Sequence, residues 1–165
     1  MARLIEVDHK DTILSSFMLF VQTAQAVLKY ADAYLYRKMH LSVSKLIILK
    51  ALDRSSEGMK PSELADWTNT ERHNITALIK RMKQDGLVTT ERNSSDKRLL
   101  NIKLTDKGQE VLGQAILVAQ EIIDQVMLLI NEGDAVLLKE KLTAMRQNAH
   151  AGLEHVAKRP QPQPH

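Results

Sequence analysis

The sequence predicts a mainly α-helical fold with one small β-hairpin. Apolar residues recur at helical spacing over most of the 165-residue chain, whereas residues 88–104 alternate apolar and polar side chains around a polar turn. Two short helix patterns directly precede this hairpin, and longer helix patterns lie on either side. The order of helix, helix and hairpin is that of a winged helix-turn-helix, here placed between flanking helices.

The two short helices carry clear start and stop signals. Pro61 suits the first position of one helix, because its φ is fixed and its missing N–H costs no hydrogen bond there. Thr70 can cap the second helix, predicted over 71–85, and Gly86 is the left-handed residue beyond its C-terminus. The predicted core face of the second helix consists of Ile75, Leu78, Ile79 and Met82.

The opposite face of this second helix carries side chains that can read base edges in a major groove. These residues are Arg72, His73, Asn74, Thr76 and Lys80. An ordinary surface position is the alternative for His73, but its polar neighbours favour groove contact.

The hairpin is predicted as two strands, 88–92 and 98–104, around the turn-forming run 93–96. Its tip lies in solvent, where Arg92, Lys97 and Arg98 can reach phosphates or a narrow minor groove. The alternatives are a solvated hairpin charge for Arg98 and an ordinary turn former for Asp96.

Taken in order, the motifs of this region resemble the MarR family of bacterial transcriptional regulators. The motifs are Ser62-Glu63-Leu64-Ala65, Ile75-Thr76-Ala77-Leu78-Ile79-Lys80-Arg81-Met82, Gly86-Leu87-Val88, Asp96-Lys97-Arg98 and Leu104-Thr105-Asp106-Lys107-Gly108. The resemblance implies that 71–85 is a recognition helix, that Arg98 enters the minor groove and that Asp96 orients the basic residues of the wing. The family often has a polar or basic residue at the position of Ala77, so we expect fewer or differently placed base contacts.

The charge distribution agrees with a DNA-binding segment, though the contrast is modest. The chain carries a net charge of +3, and residues 60–107 contain ten Lys and Arg against seven Asp and Glu. Lys80, Arg81 and Lys97 are also predicted to contact DNA. The alternative for Arg81 is that it forms an ion pair with Asp96.

The flanking helices are predicted to join two subunits. Apolar residues from Leu14 to Leu35 form a stripe that is wide for one partner, and a long helix capped by Thr105 is expected to continue to Ile130. The run 131–134 is expected to break it before a last amphipathic helix. The predicted domains are therefore 1–41 and 108–157 for dimerisation, 42–107 for DNA binding, and 158–165 as a disordered tail. A bundle within one chain is the alternative.

The sequence also predicts a small-molecule pocket. In the resembling family such a pocket, often for aromatic acids, forms where the modules meet. The corresponding corner here can use Tyr34, Arg37, His40 and Trp67, which supply aromatic surface, a cation and an imidazole. The alternative is that Trp67 covers the helix pair and Arg37 is a solvated surface group.

Several classes of function are disfavoured. The chain has no cysteine, so it cannot form a disulfide, a zinc site with thiolate ligands or a thiol-based switch. The sequence lacks the usual phosphate-binding and catalytic motifs, and His150 and His155 are five apart, which misses the spacing that pairs metal ligands on one helix face. We therefore expect no enzyme, no metal and no cofactor, and the lack of a long apolar run predicts a cytoplasmic protein.

These observations predict a sequence-specific, double-stranded DNA-binding regulator, a homodimeric repressor released by a small aromatic or phenolic ligand. The alternative is a winged-helix module that binds protein and no operator.

Overall fold

The computed structural model describes residues 12–68, 70, 72–92 and 100–157, without the side chains of Arg72, Arg92 and Ala157. Its elements are α1 (Thr12–Met39), α2 (Val43–Leu52), α3 (Pro61–Thr68), α4 (Arg72–Gln84), β1 (Val88–Arg92), β2 (Leu100–Leu104), α5 (Asp106–Val126) and α6 (Glu132–Ala157). The prediction of a mainly helical fold with one hairpin is confirmed. The chain divides into two compact units, one containing α1 to α5 and the other α6, with the boundary between Val126 and Met127.

The core of the first unit lies where α2, α3, α4, the hairpin and α5 meet. Its fully buried side chains include Ile48, Leu64, Ile75, Met82, Ile102 and Leu112. Each side chain of this size contributes about 1.5–3 kcal/mol when it leaves water. The helix pair and the hairpin therefore share one core with α5, which fixes α4 in place.

Two side chains fix the start of α2. Ser42 adopts an extended backbone and its Oγ accepts a hydrogen bond from the Lys45 N–H at 3.3 Å, so Ser42 is the N-cap of α2. The carboxylate of Asp32 on α1 accepts a second one from the Val43 N–H at 2.7 Å. This second bond ties α1 to α2 and had no local signal in the sequence.

The hairpin is an antiparallel pair in which Val88 faces Leu104 and Arg92 faces Leu100. Ile102 also exchanges two backbone hydrogen bonds with Met59, which precedes α3. This central position buries Ile102, whereas Leu100 towards the tip is exposed. Within the described residues, the hairpin thus packs on the core through its base and its central position.

The predicted boundary between the last two helices is wrong. α5 ends at Val126, and the Ile130 N–H donates to the Met127 carbonyl in a turn. Asn131 does not break a helix but begins the next one, because its Oδ1 accepts from the Asp134 N–H at 3.0 Å. α6 starts at Glu132 and runs through Gly133.

Candidate nucleic-acid interface

The second helix of the pair, α4, ends at a left-handed glycine. Gly86 has φ of 74°, and its N–H donates to the Lys83 carbonyl while the Leu87 N–H donates to the Met82 carbonyl. These two bonds form a Schellman motif, which glycine stabilises because it has no Cβ. The chain turns there directly into β1, as the sequence predicted.

Two lysines hold the C-terminal end of α4 against neighbouring helices. Lys45 on α2 forms an ion pair with Asp85 at 2.6 Å, and Lys107 on α5 donates to the Asp85 carbonyl at 2.7 Å. Positive charge at this end is favourable, because the carbonyls of a helix C-terminus carry partial negative charge. The end of α4 is therefore fixed on both α2 and α5.

The polar residues of α4 fall into three groups around the helix. His73 and Lys80 are seven residues apart, so they lie on the same side of the helix, opposite the buried side. Ala77 lies between them and Gln84 follows one turn after Lys80. All four residues are exposed. Gln84 was missed in the sequence, although its spacing of four from Lys80 places it on this side. His73, Ala77, Lys80 and Gln84 are called the outward face below.

The other two groups lie on the flanks of α4. On one flank are Thr76 and Lys83, whose Nζ donates to the Thr90 hydroxyl of β1 at 2.8 Å, so this flank faces the hairpin. On the other flank are Asn74 and Arg81, and both line a cavity. Arg72 is the first residue of α4, and its side chain lies outside the described part of the chain.

The wing residues Asp96, Lys97 and Arg98 also lie outside the described residues, as does any ion pair of Arg81 with Asp96. What is described of the hairpin is polar along one side, where Lys103 and Glu91 form a cross-strand ion pair at 2.9 Å. The predictions for the tip therefore remain predictions.

Of the four residues predicted to bind an effector, Tyr34 has the most extensive contacts. Its hydroxyl donates to Glu121 of α5 at 2.5 Å, and Lys38 reaches the same carboxylate at 3.3 Å. The hydrogen bond to Glu121 raises the pKa of Tyr34, and the same bond together with Lys38 lowers the pKa of Glu121. The guanidinium of Arg37 lies 5.4 Å from the centre of the Tyr34 ring. This cluster links α1 to α5.

His40 and Trp67 make contacts elsewhere. His40 has a positive φ of 54° and its ring meets the Tyr36 ring edge to face at 5.1 Å. Trp67 is 45% exposed, and the Arg54 guanidinium lies 6.0 Å from its ring centre. Tyr34, Arg37, His40 and Trp67 are absent from the lining of the cavity described next, and their role as effector contacts remains a prediction.

A cavity of about 520 Å³ lies instead between α1, α2, α4 and the turn that follows α3. Leu28, Ile47, Ile48, Ile75 and Leu78 supply its apolar lining. Its polar lining consists of Asp32, Ser42, Ser44, Thr68, Thr70, Asn74 and Arg81. Its position could not be found from spacing, because its walls come from four separate segments.

Within the described ranges, no three or more His, Cys, Asp or Glu side chains are grouped to hold a metal ion. No described helix combines the length and the apolar character needed to cross a bilayer.

Comparison with known proteins points to one family. Residues 41–99 match the family model described as "MarR family". The HTH-type transcriptional regulator SarZ of Staphylococcus saprophyticus is 26% identical over 139 residues, which cover 82% of this chain and 92% of SarZ. The chain is thus similar to regulators of the MarR family. The relatives that it matches are named as HTH-type transcriptional regulators, so the prediction of a transcriptional regulator rather than an enzyme is confirmed.

Two further similarities extend this result. The HTH-type transcriptional repressor YetL of Bacillus subtilis is 36% identical over 75 residues, and the match spans 45% of each chain. The crystal structure of CouR from Rhodococcus jostii, bound to p-coumaroyl-CoA, superposes with a TM-score of 0.72 at 19% identity, covering 82% of this chain and 92% of CouR. This second likeness shows that the two chains share the MarR fold.

Proposed function

We propose that this MarR-like chain binds an inverted-repeat operator in double-stranded DNA as a homodimer and acts in the cytoplasm as a ligand-responsive repressor. The observation that carries the proposal is the arrangement of α4. Its apolar side is buried, its end is fixed by Lys45 and Lys107, and its outward face is exposed. A helix held in this way can enter a major groove with its side chains already oriented.

The proposed DNA contacts differ in kind. His73 and Lys80 on the outward face, with Asn74 and Thr76 on the flanks, are suited to base edges and nearby phosphates. Arg98 is proposed to enter the minor groove, oriented by Asp96. The remaining proposed contacts are basic side chains that meet phosphate: Arg72, Arg81 and Lys97.

A homodimer is supported by the apolar side chains that the single chain leaves exposed. They include Ile13, Phe17 and Leu28 of α1, Leu117 and Ile123 of α5, and Val136, Leu137 and Leu153 of α6. Exposed apolar surface of this extent favours association with another protein surface. The dimerisation segments 1–41 and 108–157 are proposed on this basis, and two α4 helices about 34 Å apart would read inverted half-sites.

The ligand response is supported by the cavity beside α4. It is large enough for a small organic molecule, and it is bounded both by α4 and by α1, which belongs to the proposed dimer module. A ligand that prefers one separation of the two DNA-reading regions changes their fit to both half-sites. CouR, of the same fold, is known with p-coumaroyl-CoA bound.

Footprinting on the DNA upstream of the chain's own gene, repeated with candidate aromatic acids, tests this proposal. We expect one protected inverted repeat, with protection lost when an effector is added. The affinity for this repeat should fall steeply with salt, because phosphate contacts release counterions. No binding to any double-stranded DNA at low ionic strength would refute operator binding, and a purely monomeric protein in sedimentation would refute the dimer.

A protein-binding module is the second candidate, and two exposed apolar side chains favour it. Trp67 on α3 is 45% exposed and Leu100 on β2 is 48% exposed. Exposed aromatic and aliphatic groups are suited to a protein interface. Substituting both by alanine should leave DNA affinity and its salt dependence unchanged if DNA is the ligand of this region.

A further inference from the structure

The cavity beside α4 has one acidic and one basic residue among its described lining. Asp32 lies on α1 and Arg81 on α4, so the two charges come from different walls of the cavity. The remaining polar lining residues are hydroxyls and one amide, which carry no charge. The formal charges of the lining therefore cancel, which makes the cavity poorly suited to a ligand with a single charge.

Both charged groups have hydrogen-bonding capacity to spare. Asp32 uses Oδ1 to accept from the Val43 N–H at 2.7 Å, and no described basic side chain forms an ion pair with it. Arg81 donates from Nε to the Ala77 carbonyl at a long 3.4 Å, and no described carboxylate lies within ion-pair distance of it. A guanidinium has five N–H donors, and among the described residues only the Ala77 carbonyl accepts from Arg81.

We propose that this cavity binds a small zwitterionic aromatic molecule, with its ammonium on Asp32 and its carboxylate on Arg81. The inference rests on the proposed function only in treating the cavity as the effector site. The apolar lining, including Ile47, Ile48 and Leu78, accepts the ring. A simple aromatic acid would pair with Arg81 but meet the like charge of Asp32, and an aromatic amine would meet the reverse problem.

This ligand class also gives the cavity a direct link to DNA binding. Arg81 is one of the side chains proposed to contact phosphate, and a guanidinium paired with a ligand carboxylate loses its net positive charge. Asn74 lies on the same flank of α4, seven residues earlier, and lines the same cavity. Occupation of the cavity therefore competes with the DNA for residues on one side of α4.

Calorimetric titration of the full-length protein with three probes of similar size tests the inference. The probes are 4-(aminomethyl)benzoate, benzoate and benzylamine, which carry both charges, the negative charge only and the positive charge only. We expect the zwitterion to bind about fivefold more tightly than either single-charge probe, the range for a partly exposed ion pair. Benzoate binding as tightly as the zwitterion, or no binding of any probe, would overturn the inference.

Two variants separate the contributions of the charges. Asp32→Asn keeps an acceptor for the Val43 N–H and should remove the preference over benzoate, whereas Arg81→Gln should remove the preference over benzylamine. Asp124→Asn, an exposed carboxylate of α5 away from the cavity, should change neither. A preference for the zwitterion that survives in both cavity variants would place binding elsewhere and refute the assignment.

The same protein samples distinguish this inference from the proposed function. Gel-shift titration without any probe measures DNA binding alone. Intact DNA binding with no charge preference refutes the ligand class only. Absent DNA binding with a clear charge preference refutes the operator proposal and leaves the cavity assignment standing.

Discussion

Replacing Gly108 by alanine tests how closely α5 packs on the segment that links α4 to β1. An alanine Cβ at this position would lie 2.0 Å from the Leu87 carbonyl oxygen and 3.0 Å from the Leu87 carbonyl carbon. These are backbone atoms, and the same carbonyl accepts from the Thr105 N–H at 3.2 Å, so the obstacle cannot rotate away. The start of α5 must shift by more than about 1 Å to relieve the contact, which we expect to cost about 1–3 kcal/mol of unfolding free energy.

Gly113→Ala is the matched control, because Gly113 lies on the same helix with nothing within 4 Å of its added Cβ. Alanine is a better helix former than glycine, so this variant should gain about 0.5–1 kcal/mol. Urea unfolding followed by circular dichroism measures both, at one protomer concentration because dimerisation makes apparent stability depend on it. A Gly108→Ala variant that unfolds at the wild-type urea concentration or above would refute the close packing of this joint.

Three other predictions concern DNA contacts and pH. Lys80→Ala should lower the slope of log affinity against log salt by about one unit, because one phosphate contact is lost, whereas Lys139→Ala on α6 should not. Arg98→Ala should weaken operator affinity about tenfold or more in anisotropy titrations while sedimentation shows an unchanged dimer, and an unchanged affinity would contradict the wing assignment. Hydrogen bonds from Gln109 and Lys50 lower the pKa of Asp53, so its contribution to stability is present above its unfolded pKa and lost as pH falls through its folded pKa. The Asp53→Asn variant should therefore be less stable than the wild type at neutral pH. Its urea midpoint should also fall less than that of the wild type as the pH drops below about 4. Urea midpoints that fall in parallel for both proteins would contradict this.

The ends of most elements could be predicted because their signals are local. Pro61 begins α3 and Gly86 ends α4, as the sequence indicated. Ser42 caps α2 by a signal of the same local kind. Thr105 caps α5 by accepting from the Gly108 N–H at 3.0 Å. In each case the residue acts on backbone groups within four positions of itself, so spacing alone reveals it.

The boundary between α5 and α6 shows where local signals mislead. Apolar residues continue at helical spacing to Ile130, although α5 stops at Val126, and Leu129 is 91% exposed in the single chain. The run of Asn131 and Gly133 resembles a helix stop, but asparagine is also a strong N-cap. The composition of such a run does not tell which helix it belongs to, and the hydrogen bond from the Asp134 N–H decides it.

The residues around the cavity could not be predicted because their neighbours are distant in sequence. The phenol of Tyr34 suggested an effector contact, yet its hydroxyl is bonded to Glu121, which lies 87 positions away. Asp32 carries no distinguishing signal in the sequence, since a lone carboxylate on an amphipathic helix is ordinary. Only the fold brings Asp32 and Arg81 to the same cavity.

The division of α4 into an outward face and two flanks also depends on neighbours that are distant in sequence. Periodicity separates the buried side of a helix from its polar side, but it does not tell which neighbour borders each flank. The hairpin borders Lys83 and the cavity borders Arg81, so two basic residues two positions apart are assigned different surroundings. Ala77 lies at the centre of the outward face, where a methyl group is suited to contact a thymine methyl rather than to hydrogen-bond a base edge. On the outward face, the proposed polar readout therefore falls to His73 and Lys80, with Asn74 and Thr76 on the flanks. We expect a change at Arg81 to alter the proposed ligand response more than sequence preference.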